Sequence, residues 1–453
     1  TKGPSSVSNG EAALAGSVAY TTYDPVDFLI ESGDTFYQGV KAGFDSRSDE
    51  GMYNLTLANR TGSLESLLMV TIRDSDEMKA HDDGFYTHGP GREQADPLDR
   101  EALSILLKLS YEVADGQRIG FAYDRTDRTA DGIILSRNAT LLSQQSYDNF
   151  RTDDNNDKER FEVSYDWADA ENILFDSLSA AFNYQELYTS GVSNFEFASR
   201  GASYLRQEDR STEQDVTSVN VDLEKALDGA GLSHSLTYGI RWETREIYNE
   251  RWDRRWNGLD QSTGTRNGYP ISDPAWVPET EREAFNFYLR DDIAVNEKLT
   301  LTVGVRYDTT EYSPELDATF ADASGESVVD SDFSQVVGGL QGAYEFLPGH
   351  SFLMSYSQGY KAPTFQDLYL STDGSETITD TVTGVEFIDL DAVANSDLEA
   401  EESESFEVGY KLESARASLT VTAYWTDYDN LIRNADVTRA YNPSVNSEAC
   451  AFN

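Results

Sequence analysis

Long apolar runs are missing from this chain: nowhere in its 453 residues do about 18 apolar residues follow one another, which excludes a helical membrane protein. Cations are scarce as well. The 35 Lys and Arg stand against 81 Asp and Glu, a formal charge of −46, so nucleic acid is not expected as a partner, because its phosphates need Lys and Arg to displace counterions. Such a charge reads as a solvated surface suited to salty surroundings, with a cationic or metal-bearing ligand as the alternative. With 11 Pro and no Pro- or Ser-rich linker, nothing divides the chain, and one large repetitive architecture is expected. Cysteine is limited to Cys450, whose partner is expected beyond residue 453. Phosphate-binding and dinucleotide-binding glycine patterns, zinc-ligand clusters and catalytic triads are all lacking, so the chain is not read as an enzyme and no resident metal or permanent cofactor is expected.

What is present is alternation. Leu299, Leu301, Val303, Val305 and Tyr307 interleave with Thr300, Thr302, Gly304, Arg306 and Asp308, and the same period recurs from residue 36 to residue 432. In an antiparallel barrel, Leu299, Leu301, Val303 and Val305 would face lipid while Thr300, Thr302 and Arg306 faced the lumen. Aromatic content is high at 12%, as expected of girdles at the two membrane interfaces. Tight turns are predicted at 59–63, 114–117, 167–172, 227–232, 296–298, 348–350 and 413–415, and long connections near 76–100, 127–157, 189–214, 250–281, 313–332 and 363–404. Short turns on one side and long loops on the other mark an all-β, antiparallel transmembrane barrel with its long loops extracellular. A soluble sandwich also alternates, but its strands average about five or six residues, shorter than the runs here. The pattern holds roughly 15 strands, an odd number, where single-chain bacterial barrels close with even counts up to about 22 in plugged transporters. The chain starts at Thr1 without Met or signal peptide, and we expect a fragment cut at both ends.

Two boxes carry a family resemblance. Gly359-Tyr360-Lys361-Ala362-Pro363-Thr364-Phe365 ends one strand, and Asn395-Ser396-Asp397-Leu398-Glu399-Ala400-Glu401 precedes another. They resemble the paired signature boxes of TonB-dependent haem and haemoglobin receptors, with Tyr360, Lys361, Ala362 and Pro363 in the first and Asn395, Ser396, Asp397 and Leu398 in the second. The stretch 9–20 resembles the end of the plug domain of such receptors, and Asp24-Pro25-Val26-Asp27-Phe28-Leu29 the crossing from plug to barrel. By that resemblance residues 1–32 are the tail of a plug and 33–453 an incomplete barrel, lacking most of the plug, the TonB-contacting segment and the last strands. The resemblance implies an outer-membrane active transporter of a Gram-negative bacterium, driven by the TonB complex, with haem, a haem protein or a ferric siderophore as its ligand. Haem or a ferric chelate would be cargo rather than a permanent cofactor. Outer-membrane barrel enzymes, adhesins and passive porins are the rival classes.

Read physically, Pro363 removes a ladder donor and ends its strand, and Lys361 sets a cation at the mouth of an acidic loop. Asn395 and Asp397 suit local turn bonds where the chain re-enters the wall, so loop anchoring and ligand contact both remain open for the boxes. The loop from Thr364 to Glu404 carries 12 acidic residues and no Lys or Arg, the composition of a solvated, mobile segment. Receptors of this type place a haem-coordinating His between the boxes; residues 364–394 contain none. His234 and His350 fall beside predicted short turns. His81 and His88 alone stand in a predicted extracellular loop, beside Phe85 and Tyr86, and they are the haem-ligand candidates, with Tyr369 as an oxygen alternative.

Overall fold

The computed structural model describes residues 14, 20–80, 87–89, 91–140, 145–199, 202–229, 231–259, 261, 276–316, 320, 328–371, 376–379, 386–389, 394–433, 437–442 and 447–452. The strands are β1 (Thr35–Asp45), β2 (Glu50–Thr61), β3 (Leu64–Ser75), β4 (Leu98–Ala114), β5 (Gln117–Ile133), β6 (Ala139–Thr140), β7 (Gln145–Ala168), β8 (Ser177–Ser199), β9 (Ala202–Gly229) and β10 (Leu232–Asn257). There follow β11 (Glu279–Asn296), β12 (Leu299–Glu315), β13 (Ser331–Leu347), β14 (His350–Lys361), β15 (Glu376–Thr379), β16 (Glu386–Asp389), β17 (Glu401–Glu413), β18 (Ser418–Asp429), β19 (Val437–Asn442) and β20 (Ser447–Phe452). Fifteen of them form one antiparallel meander, β1 to β5, β7 to β14, then β17 and β18, with the two-residue β6 resting on β7. Among the described residues β1 and β18 are the two edges of this sheet.

The seven predicted tight turns all join neighbouring strands. Their glycines matter where backbone packs on backbone. Gly116 and Gly349 take φ of 68° and 76°, and a Cβ there would meet the Ala168 and Glu413 carbonyl oxygens at 2.6 and 2.2 Å, so adjacent turns close only over glycine.

Facing partners in an antiparallel pair share a side of the sheet, so the apolar rows can be followed from strand to strand. Phe352 lies opposite Tyr344 on β13 and Tyr410 on β17, and Tyr410 opposite Val421 on β18. On β12 the outward Val303 and Val305 are 45% and 41% exposed, whereas Arg306 and Asp308 are each 2% exposed. The alternation expected of a lipid-facing wall is therefore present. Near the short turns the outer face collects Tyr344, Phe346, Phe352 and Tyr410, with Phe346 and Phe352 stacked at 4.7 Å, as an interface girdle requires.

Two predicted long connections are not loops. β7, β8, β9 and β10 run for 24, 23, 28 and 26 residues; with β5 and β6 they take up most of 127–157, and β8 and β9 take up nearly all of 189–214. Beyond the membrane both faces of a strand are wet, so side-chain alternation stops carrying information while the hydrogen-bond ladder continues. These extensions hold an aromatic core of Phe150, Phe195, Phe197 and Tyr204, with Phe150 and Phe195 stacked at 4.7 Å. The acidic stretch after β14 also differs from expectation. It contains β15 and β16, and β16 pairs with β19 in a separate four-stranded sheet completed by β20, so β19 and β20 extend this sheet and not the main wall.

Above the apolar band the outer face becomes acidic. Glu159, Glu186, Asp215, Glu246 and Glu281 stand directly opposite one another on five successive strands. Like charges so placed oppose pairing. Burial, with Glu186 and Glu246 adding to it, holds the Asp215 carboxyl above its ordinary range. A carboxyl raised by folding penalises the folded state above its folded pKa, and the penalty disappears as pH falls through that value. Asp215→Asn is therefore expected to stabilise the β8–β10 extension by about 0.5 kcal/mol at neutral pH and to have a smaller effect in the carboxyl range. Hydrogen exchange, corrected for intrinsic rates, would show higher protection around residue 215 in the variant; equal or lower protection would remove the row as a source of repulsion.

Candidate functional site

The first box closes β14. Tyr360 and Pro363 are fully buried, and Tyr360 packs with Ala362 against Val337, Phe333 and Ala400. Thr364 then caps a short helix, α1 (Phe365–Tyr369). Its Oγ1 accepts from the Asp367 N–H at 3.2 Å, and Asp367 Oδ2 accepts from the Thr364 N–H at 2.8 Å, a reciprocal cap that directs the chain off the wall. Helix α1 buries Leu368 and Tyr369 in a cluster with Val277, Tyr312, Val328 and Ala394, so five separate segments of chain meet there.

The second box lies against the first. The Asn395 N–H donates to the Leu368 carbonyl at 2.8 Å, and Asn395 Oδ1 accepts from the Asp397 N–H at 3.1 Å. Leu398 packs on the helix cluster, and Ser396 Oγ is buried with no hydrogen-bond partner among the described residues. Lys361 Nζ donates to Glu401 Oε2 at 2.5 Å across the β14–β17 pair, and Glu401 Oε1 accepts from the Ile432 N–H at 2.9 Å. All eight box residues thus fall in one region, where they clamp the two feet of the loop between them. Within it Asn395 and Asp397 are exposed, whereas Tyr360, Ala362 and Pro363 are packed away.

Tyr369 needs correction as an oxygen ligand. Its side chain is wholly buried, its hydroxyl donates to the Val329 carbonyl at 3.0 Å and lies 3.1 Å from Ser331 Oγ, and burial pushes its pKa up, away from the phenolate that iron would bind. His81, Phe85 and Tyr86 lie outside the described residues. His88 is exposed, with Thr87 Oγ1 at 2.9 Å from its Nδ1. His234 and His350 sit at the short-turn ends of β10 and β14, as expected, His234 Nδ1 at 2.8 Å from Asp291 Oδ2 and His350 Nδ1 at 2.6 Å from the Tyr410 hydroxyl. No group of three potential metal ligands exists among the described residues.

Several described residues ahead of β1 lie on the inner face. Asp24 Oδ1 pairs with Lys108 Nζ at 2.7 Å, the Glu31 carbonyl accepts from Arg60 Nη1 at 2.8 Å, and Leu29 is buried with Ala58 and Leu67. Further back, the Leu14 carbonyl accepts from Ser403 Oγ of β17 at 3.1 Å.

The sheet is thus an antiparallel meander with an apolar outside and a polar inside, against which Leu14 and residues 24–31 lie. The family model described as TonB dependent receptor-like, beta-barrel matches residues 103–448. The chain belongs to this family. Among its relatives, the hemoglobin-haptoglobin utilization protein B of Neisseria meningitidis serogroup C is 24% identical over 475 residues, covering 95% of this chain and 56% of that protein. A probable hemoglobin and hemoglobin-haptoglobin-binding protein 1 of Haemophilus influenzae is 30% identical over 177 residues, covering 37% of this chain and 16% of its own. Among solved structures, a double mutant of the Serratia marcescens hemophore receptor HasR, in complex with its hemophore HasA and heme, superposes with a TM-score of 0.64 at 15% identity, covering all of this chain and 64% of that one. The FrpB iron transporter of Neisseria meningitidis gives 0.65 at 15% identity, covering 97% of this chain and 63% of its own. These two likenesses speak for the barrel fold of the TonB-dependent receptor. The chain spans 56% of the length of the Neisseria relative.

Sequence reasoning set Arg306 toward the lumen but missed the ion pairs and the arginine cluster of the inner wall. Arg306 and Asp308 form a buried ion pair at 2.7 Å, Arg60 and Arg118 share Glu65 at 2.7 and 3.1 Å, and Arg73, Arg100 and Arg128 point inward near the long-loop end. Their parity was the available signal: each alternates with an outward residue such as Ile72 or Leu103.

Proposed function

We propose that this TonB-dependent receptor sits in the outer membrane of a Gram-negative bacterium and takes up haem, or iron, from a source bound at the cell surface. The TonB complex supplies the energy, and residues 1–32 act as the end of the plug. The observation that carries the reading is that the two boxes form a single buried clamp at the mouth in a chain whose relatives are named for haemoglobin and haptoglobin. In this reading the boxes anchor the 364–394 loop, and exposed groups of the neighbouring loops, His81 and His88 among them, meet the cargo. A ferric siderophore is the second reading, favoured by the lack of His in residues 364–394.

The test uses the receptor encoded by the complete gene, expressed in an iron-starved host with TonB and without its own haem receptors. Growth on haemoglobin or haem is expected, and deletion of TonB should abolish it. Growth on ferric siderophores alone would overturn haem as the cargo. In purified receptor, His81→Ala with His88→Ala is expected to weaken haem binding and shift the Soret band. An unchanged spectrum would return both to ordinary solvated histidines.

A further inference from the structure

The chain is strongly acidic, yet its inner wall near the long-loop end gathers cations. Arg73 on β3 and Arg128 on β5 lie in one cross-strand row with Ala102 of β4 between them, and Arg100 stands two residues further along β4, in the row of Ser75 and Ala130. These positions share the inward face with the buried Leu67, opposite in parity to the exposed Ile72. Neighbouring strands are spaced by about 4.8 Å, so the three guanidinium groups arise from a patch about 10 Å across, floored by Ala102 and Ala130. They line a cavity of about 730 Å³ that reaches Arg210 on β9.

Charge accounting separates the members. Arg73 is paired with Glu50 at 2.7 Å, and Arg210 lies 3.5 Å from Glu208 and 5.0 Å over the Trp276 ring. Arg100 and Arg128 are exposed to the cavity and form no ion pair or hydrogen bond among the described residues. Asp154, opposite Ala130, is the acidic side chain of the cavity that remains besides Glu50, because Glu101 alternates to the outer face. Two unpaired guanidinium groups in a partly enclosed lumen attract anions by field and bind carboxylates in planar, forked geometry.

We propose that Arg100 and Arg128, backed by Arg73 and the small residues Ala102 and Ala130, form an inner-mouth site for the anionic groups of an iron-bearing cargo, carboxylates above all. This deepens the uptake reading and rests on it: the loops would capture the cargo and the arginines would orient its charged edge. A haem with two propionates and a polycarboxylate ferric chelate share this chemistry.

The experiment titrates the complete receptor in detergent with haem, with haem dimethyl ester, which lacks the carboxylates, and with ferric citrate. Wild type is compared with Arg100→Gln/Arg128→Gln, with the charge-conserving Arg100→Lys/Arg128→Lys, and with Arg125→Gln on the outer face as a control. Heat modifiability on gels confirms that each is folded. For a haem carrier, the double Gln variant is expected to lose about tenfold in haem affinity, the worth of one charge-assisted contact, while ester binding and the Arg125→Gln receptor stay unchanged and the Lys pair recovers part of the loss. For a ferric-chelate carrier the same loss appears with ferric citrate. If wild type binds haem but the ester binds as tightly, or the double Gln variant binds every anionic probe as tightly as wild type, the site is overturned while the uptake reading stands. If folded wild type binds none of the three probes, the uptake reading and the site fall together.

Discussion

Val303→Arg is expected to destabilise the inserted chain by about 2 to 4 kcal/mol, the cost of placing a charge on the lipid face near the bilayer midplane. Val303 is the middle member of the outward row Leu299, Leu301, Val303, Val305 and Tyr307, and it is exposed on the surface that lipid would cover. The comparison is Gln341→Arg, one strand away. Gln341 lies opposite Thr302 on the inner face and is exposed there, so an added cation stays hydrated and the change should be close to neutral. Urea unfolding from phospholipid vesicles measures both. Equal costs for the two variants would mean that the lipid and lumen faces have been interchanged or that the sheet does not span the bilayer.

Breaking the Arg306–Asp308 pair is expected to cost about 3 to 5 kcal/mol, because a buried carboxylate then loses the cation that faces it. Both side chains are 2% exposed and the contact is 2.7 Å. Arg306→Met should show this loss in the same assay. Arg306→Met with Asp308→Leu should recover most of it, since a buried ion pair contributes little beyond a well-packed apolar pair. A single variant with the stability of wild type would show that water reaches the pair and that this part of the inner wall is open.

Much of this architecture is written in local pattern. A strand with lipid on one side and polar groups on the other must alternate with period two, so β12 and its neighbours could be read residue by residue, as could the short turns, where glycine at positive φ is enforced by backbone contacts. The two boxes were legible because Pro363 and the Asn395–Asp397 turn mark where chain leaves and re-enters the wall. Signals of that kind end at the membrane edge. In 127–157 and 189–214 polar residues occupy both faces, and only the cross-strand ladder, a non-local property, makes them strand.

The sequence by itself determined the class of fold, the sidedness of its loops and the identity of the boxes, because each depends on neighbours a few residues apart. Tertiary structure decided what those residues touch. It turned Tyr369 from a free oxygen ligand into a buried hydroxyl bonded to the Val329 carbonyl and drew Lys361 to Glu401 across 40 residues of chain. It also set Arg73, Arg100 and Arg128 from three strands around one cavity, which sequence distance conceals because strand register brings together residues far apart in the chain.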